Sequence, residues 1–164
     1  MGQNLINLIT FGIAVVGAIL GIINTVYAID KDRIKLRVRP VFGYTVGAPH
    51  LKEKYIGVEI INLSIFPVSI AEAGFMLEKT TQRAAILNPL THKGVISLPY
   101  KLPSREKITL YADYDYMIDD PYLIKCVYCA TECGLVTKGK SKAINHINEE
   151  KIKKLVKKIE NSNP

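Results

Sequence analysis

The pattern of apolar and polar residues divides the chain into an apolar N-terminal run, a central region of short alternating runs and an amphipathic tail. No charged side chain occurs from Met1 to Ile29, and Ile, Leu, Val, Ala and Gly dominate the run. An α-helix rises about 1.5 Å per residue, so about 20 residues cross the ~30 Å hydrocarbon core of a bilayer. The run therefore predicts a transmembrane helix over residues 1–30.

Two other structures compete with a membrane span for this run. A helix that is apolar on every side can be buried in a soluble protein, but that requires a larger core than the rest of this chain supplies. A cleaved signal peptide fits the small-residue pattern at Val26-Tyr27-Ala28. However, no Lys or Arg precedes the run, and the run is longer than the apolar region of a usual signal peptide. The pattern favours a membrane span over both.

Small residues recur four positions apart inside the apolar run. Such residues share one face of a helix and allow a second helix to approach closely. This face predicts pairing within the membrane, either with another membrane protein or with a second copy of the chain. The predicted packing residues are Ala14, Gly17, Ala18, Gly21 and Thr25.

The central region, residues 31–140, has the short apolar runs and turn residues of an all-β domain. Apolar and basic residues alternate from Ile34 to Arg39, which is the pattern of a half-buried strand. Further runs predict strands over residues 55–62, 68–71, 75–79, 84–87, 107–112, 123–130 and 135–138. Residues 126–139 resemble a hairpin whose turn uses Gly134. The fold class expected is mainly β, an Ig-like β-sandwich between two helices.

The tail, residues 141–164, predicts a basic amphipathic helix, because apolar residues recur at helical spacing and lysines fill much of the remaining surface. Such a helix can lie on anionic lipid, or it can pack its apolar face on the β domain and leave its lysines in water. Both interpretations are open. With the basic residues that follow the apolar run, the predicted lipid contacts are Lys31, Arg33, Lys151, Lys154 and Lys158.

The net charge of +7 lies at the two ends of the β region. Residues 30–39 carry five basic and two acidic groups, and residues 138–164 carry eight basic and three acidic groups. Residues 40–137 carry nine basic and ten acidic groups. A nearly neutral centre and a tail without aromatic residues make nucleic acid an unexpected partner. Under the positive-inside rule, the basic cluster after the apolar run places the domain in the cytoplasm, beside a plasma membrane that the chain crosses once.

Three cysteines, Cys126, Cys129 and Cys133, lie within eight residues. An odd number cannot all pair within one chain, so a reducing compartment is the simpler interpretation. Zinc is the metal these thiolates would bind, but no histidine is close in sequence to complete a site. Alternate residues of a strand also point to opposite faces, which separates Cys126 from Cys129. We therefore expect the three cysteines to act as small apolar residues, and we expect no cofactor.

Residues 111–122 interleave four aspartates with four tyrosines. The EF-hand spacing of carboxylates is missing, so the segment predicts a solvated acidic loop rather than a calcium site. Amphipathic tyrosine rings supply contact area at low entropic cost, which makes this segment a candidate partner surface. The tyrosines concerned are Tyr111, Tyr114, Tyr116 and Tyr122.

The chain carries no catalytic or cofactor signature. The nucleophile elbow, the P-loop, the zinc-protease helix and the dinucleotide fingerprint are all missing from the sequence. No catalytic residue and no small-molecule substrate is therefore predicted.

Three segments after the Gly-rich span carry a resemblance: DRIKLRVRP (32–40), GVEIINLSIFPVSIAEAGF (57–75) and VYCATECG (127–134). Their order resembles a group of uncharacterised small bacterial and prophage single-span membrane proteins with a C-terminal β-sandwich-like domain. The resemblance covers most of the chain, but it rests on packing and turn patterns and implies no activity. A prophage or host-defence setting is an analogy drawn from it.

Three functions are compatible with these patterns. The leading hypothesis is a membrane-anchored, non-enzymatic interaction module that faces the cytoplasm. The first alternative is an exported, membrane-tethered binding domain, which predicts a disulfide among the cysteines. The second is a small metal-binding or catalytic domain that uses the cysteine cluster, which predicts bound metal.

Overall fold

In a computed structural model, which describes residues 2–44 and 54–160, the apolar N-terminal run is one α-helix, α1 (Gly2–Lys31). Ile, Val and Gly outnumber Leu and Ala in this run and are weaker helix formers, but no proline or charge interrupts the run before Asp30, so nothing breaks the helix. Its described side chains are all exposed. By length and composition it is long and apolar enough to cross a membrane, which confirms a candidate span at this position.

A second compact unit begins at Lys35. Its strands are β1 (Leu36–Tyr44), β2 (Lys54–Asn62), β3 (Val68–Leu77), β4 (Arg83–Ala85), β5 (Leu90–Thr91), β6 (Gly94–Val95), β7 (Tyr100–Leu102), β8 (Lys107–Asp113), β9 (Ile124–Thr131) and β10 (Val136–Gly139). Its helices are α2 (Tyr114–Asp119) and α3 (Lys142–Glu160).

The strands form two antiparallel sheets. The first has the order β1-β2-β8-β5-β6, and the second has the order β10-β9-β3-β4, with β7 also paired to β3. The expected mainly β domain is therefore confirmed. Alternation is clearest in β1, where Val38 and Pro40 are buried and Arg37 and Arg39 are exposed, as the sequence predicts.

Both sheets contribute side chains to the core. Strand β2 lies between β1 and β8 and is buried from Ile56 to Ile60, and β3 and β9 add Ile70, Phe75 and Val127. Glu59 interrupts the apolar run of β2. Its carboxylate pairs with Arg39 of β1 and accepts a hydrogen bond of 3.5 Å from Lys107 of β8, so the charge of this buried residue is compensated.

The two sheets come together where β10 meets β1. A Cβ placed on Gly139 would lie 1.8 Å from the carbonyl oxygen of Val38, so only glycine permits this approach of the two backbones. Just beyond, Ser141 donates a hydrogen bond of 3.4 Å to the carbonyl of Pro40. Its hydroxyl also accepts from the amide of Ala143 at 3.2 Å, which caps α3.

The predicted hairpin is confirmed as β9 and β10. Val136 lies opposite Ala130, and Gly139 lies opposite Val127. The turn contains Gly134 in the left-handed region, with φ of +86°, a conformation that glycine adopts without strain.

Several predicted element boundaries are wrong. The strands expected at 68–71 and 75–79 are one strand, β3, whose register with β9 shifts between Ile70 and Glu72. The solvated loop expected after β8 is partly helical, because the Asp113 side chain accepts a hydrogen bond of 3.0 Å from the amide of Asp115 and caps α2. Three short strands, β5, β6 and β7, were not predicted.

Candidate functional site

Two polar side chains of α1 are satisfied by the helix's own backbone, an arrangement that lowers the cost of placing them in lipid. Thr10 donates a hydrogen bond of 2.9 Å to the carbonyl of Ile6, and Thr25 donates one of 2.8 Å to the carbonyl of Gly21. A methyl group added to Gly17 or Gly21 would meet no atom within 4 Å apart from the adjacent residues and the nearby backbone of α1 itself. The predicted small-residue face, which also includes Ala14 and Ala18, is thus open to a second helix.

A second surface on α1 was not predicted. It is a shallow apolar groove of about 500 Å³, lined by Ile9, Gly12, Ile13, Val16, Gly17 and Leu20. Only Gly17 belongs to both surfaces. Gly12 and Gly21 are nine residues apart, which at 100° per residue places them on opposite sides of the helix. The two surfaces can therefore be tested separately.

The basic residues predicted to contact lipid after the span are exposed. Lys31 ends α1, and Arg33 follows two residues later. A cation in the last turn of a helix is favoured by the helix dipole. Both side chains are therefore available to solvent or to a charged surface.

One face of α3 is buried on the β domain. Ile144 and Ile147 are buried, and α3 packs against α2, β1 and β9. The side chain of Asn148 joins the helix to the start of β9. Its Oδ1 accepts from the amide of Ile124 at 2.9 Å, and its Nδ2 donates to the carbonyl of the same residue at 2.9 Å. This pair of bonds fixes the rotation of the helix about its axis.

Lys151 is not a lipid contact, which corrects the prediction made from its place in a lysine-rich tail. Its side chain is fully buried, and its ammonium donates a hydrogen bond of 2.7 Å to the carbonyl of Tyr122. Burial lowers the pKa of Lys151 from its ordinary value, while the charge of Asp120 acts in the opposite direction.

The other lysines of the tail remain at the surface. Lys154 is exposed and pairs with Asp119 of α2, while Lys158 is exposed in the last turn. Two further lysines that were not singled out, Lys153 and Lys157, are exposed as well.

The apolar residues of the tail helix do not all pack on the domain, and three of them form an exposed stripe on α3. It consists of Ile152, Val156 and Ile159, whose side chains are 48%, 48% and 63% exposed. Their spacing of four and three residues places them on one side of the helix, and this signal is present in the sequence. Beside the stripe lies an apolar groove of about 380 Å³, lined by Glu78, Lys79, Pro121, Tyr122, Leu123, Ile152 and Leu155.

The four predicted tyrosines do not form one surface. Tyr114 is buried, with its ring 5.4 Å from that of Phe42 and with the ammonium of Lys54 5.5 Å from its centre. It therefore belongs to the packing of α2 and not to a partner surface. Tyr111 is partly buried 5.9 Å from the ring of Tyr55. Tyr116 and Tyr122 are exposed.

The three cysteines are free thiols in two different environments. Cys126 and Cys129 are buried on opposite faces of β9, and burial raises the pKa of Cys129 to about 12. Cys133 is exposed in the hairpin turn, and its hydrogen bond with Thr131 lowers its pKa. Within residues 2–44 and 54–160, no group of three or more His, Cys, Asp or Glu residues is placed to hold a metal ion.

Comparison with models of protein families, with curated proteins and with solved structures gave no match to this chain.

Proposed function

We propose that this chain is a membrane-anchored, non-enzymatic interaction module that presents its β domain at the cytoplasmic face of a bacterial plasma membrane. The observation that carries the proposal is α1, which is predominantly apolar, carries no charged side chain before Asp30 and exposes every described side chain. An exposed apolar helix of this length is unfavourable in water and favourable in a bilayer.

The cytoplasmic orientation is supported by charge. The basic cluster after the span includes Lys31, Arg33 and Arg37, which are exposed, and the opposite end of α1 has no charged side chain. Cytoplasmic flanks of membrane helices carry such an excess of Lys and Arg. The exported alternative predicts a disulfide, whereas Cys126 and Cys129 are buried free thiols. This arrangement suits a reducing compartment.

The small-residue face of α1 supplies the means of interaction within the membrane. Gly17 and Gly21 leave open space where side chains would stand, so a second helix can approach the backbone. We propose a second copy of the chain, or another membrane protein, as the partner at this face. The prophage or host-defence setting stays part of the proposal by analogy with the resemblance alone.

We further propose that the two sheets form an Ig-like sandwich. Its support is that consecutive long strands change sheets, from β2 to β3 and from β8 to β9, while both sheets contribute to the core. Binding specificity of such domains lies in loops and surface patches. No reaction is proposed for this domain.

Membrane integration is tested by alkaline carbonate extraction of membranes from bacteria that express the full chain. We expect the protein to stay in the membrane pellet. The double variant Val16→Lys, Leu20→Lys places two charges near the centre of α1, each costing about 3 kcal/mol in hydrocarbon, and should leave the pellet. The matched control, Val16→Ala with Leu20→Ala, should stay. Release of the unaltered protein by carbonate would contradict a membrane anchor.

A further inference from the structure

Part of the apolar surface of helix α3 stays exposed after the helix packs on the domain. Ile144 and Ile147 face the domain and are buried. The stripe of Ile152, Val156 and Ile159 is on another side of the same helix and is exposed. A helix that served only to complete the fold would need one apolar face with a polar face opposite.

The helix is held so that the stripe cannot turn inward. Asn148 binds both backbone groups of Ile124, and the buried Lys151 donates to the carbonyl of Tyr122. Lys154 pairs with Asp119 of α2 at the surface. These contacts set the helix rotation, so the stripe is presented to the surroundings without any prior rearrangement.

The charges around the stripe are basic. From Ile152 to Glu160 the helix carries four exposed lysines and one glutamate. Lys153 and Lys157 are one residue C-terminal to Ile152 and Val156, and both are exposed. Lys79 lines the adjoining groove together with Tyr122, which is half exposed. An apolar stripe bordered by lysines complements a surface that is apolar beneath and anionic above.

We propose that this surface, the stripe of Ile152, Val156 and Ile159 with Lys153 and Lys157, docks on an anionic lipid leaflet. Amphipathic helices with lysine-rich polar faces insert their apolar side at the boundary between headgroups and acyl chains. Lysines near an anionic leaflet add attraction. The inference rests on the proposed membrane anchor, because a domain tethered by α1 meets the leaflet at a high effective concentration.

Lipid is favoured over an acidic partner helix because the three exposed residues project from the outer side of α3 instead of lining a cleft. The adjoining groove of about 380 Å³ includes only Ile152 of the three. A projecting stripe suits a broad, deformable surface, whereas a partner helix usually enters a groove.

The chain contains no tryptophan, so a single introduced one reports on this site. We would place the full-length Val156→Trp variant in nanodiscs of phosphatidylcholine alone or mixed with phosphatidylglycerol, each with brominated acyl chains as quencher. Docking predicts at least about twofold stronger quenching when phosphatidylglycerol is present. The control is the Leu87→Trp variant, because Leu87 is 81% exposed and lies outside α3. Its tryptophan should be quenched less than that of the Val156→Trp variant.

Charge is tested in the same Val156→Trp background. Lys153→Gln with Lys157→Gln should remove most of the effect of phosphatidylglycerol. Lys101→Gln with Lys125→Gln changes two exposed lysines outside α3 and should leave the effect intact. Docking through α3 would be overturned if the Val156→Trp variant were quenched only weakly, or equally in both lipid mixtures. It would also be overturned if the Leu87→Trp variant were quenched as strongly. Elution of the protein with the nanodiscs reports α1 insertion separately, so failure of docking and failure of the anchor are distinguishable.

Discussion

Gly139 is the residue that allows the two sheets to meet. Because a Cβ at this position would lie 1.8 Å from the carbonyl oxygen of Val38, Gly139→Ala must push β10 away from β1. We expect a loss of about 3 kcal/mol in the free energy of unfolding, at the upper end for overpacking. Thermal unfolding in detergent, followed by near-ultraviolet circular dichroism, measures it.

Gly43→Ala is the matched control for this substitution. Its added methyl would meet the ring of Tyr111 at 3.6 Å, an ordinary contact. Its effect on stability should be within about 0.5 kcal/mol. Equal losses for the two alanine variants would show that the close approach of β10 to β1 is not what requires glycine.

The burial of Lys151 should make the free energy of unfolding depend on pH. Its pKa is lowered in the folded protein, so the unfolded chain binds more protons than the folded chain between that lowered pKa and the ordinary value of 10.5. The destabilisation by the buried charge is therefore complete at low pH and disappears as pH rises toward 10.5. The free energy of unfolding should rise with pH in the unaltered protein relative to Lys151→Met.

The measurement is chemical denaturation of the full chain in detergent at several pH values from neutral to 10.5. Lys153→Met, which changes an exposed lysine on the same helix, is the control and should follow the unaltered protein. Identical pH dependence of the unaltered protein and Lys151→Met would contradict burial of the ammonium.

Individual side chains were the least predictable level of this structure. Lys151 belongs to the same lysine-rich stretch as the exposed lysines that follow it, and only the fold shows that its ammonium meets the carbonyl of Tyr122. Tyr114 similarly follows an aspartate-rich pattern typical of loops but packs on Phe42. In both cases a contact distant in sequence overrides the local composition.

At the scale of elements, the buried face of α3 should contribute to the stability of the domain, whereas its exposed stripe should not. Ile147 is fully buried, so Ile147→Ala should cost about 3 kcal/mol of unfolding free energy through lost burial and the cavity left behind. Ile152→Ala, the same change five residues later on the exposed stripe, should cost about 0.5 kcal/mol or less. Thermal unfolding of both variants measures this. Similar losses would show that the stripe is part of the core.

The small-residue face of α1, which includes Gly17 and Gly21, should pair two copies of the chain in the membrane. Gly21→Ile fills the space that a second helix would occupy and should weaken association by about 1 kcal/mol or more. Gly12→Ile makes the same change on the opposite side and is the control. Energy transfer between labelled copies in bilayers measures association. A larger effect at Gly12 would move the contact to the groove lined by Gly12 and Val16.

Long, strongly patterned elements were predictable and short ones were not. The uncharged run, the alternation in β1 and the hairpin of β9 and β10 each follow from a local period that packing preserves. The two-residue strands β5 and β6 are too short to show a period, and they form because β5 pairs with β8 and β6 pairs with β5. The tail was predictable as a helix, but the division of its apolar residues into a buried face and an exposed stripe depends on how α3 packs.

At the scale of the whole molecule, charge and apolar surface are distributed as a membrane-tethered domain requires. The excess of basic groups lies next to α1 and in the tail, while residues 40–137 are nearly neutral. This distribution argues for contact with a membrane surface over binding of a polyanion along the domain. The central prediction from this charge distribution is that the β domain lies on the cytoplasmic side of the membrane.

The native thiol of Cys133 tests that claim most directly, because it is exposed while Cys126 and Cys129 are buried. We would treat spheroplasts and inverted membrane vesicles with a maleimide-polyethylene glycol that cannot cross membranes, with Cys133→Ser as the control for labelling at the buried thiols. The account predicts labelling of the unaltered protein in inverted vesicles and none in intact spheroplasts. Labelling in spheroplasts would place the β domain outside and contradict it.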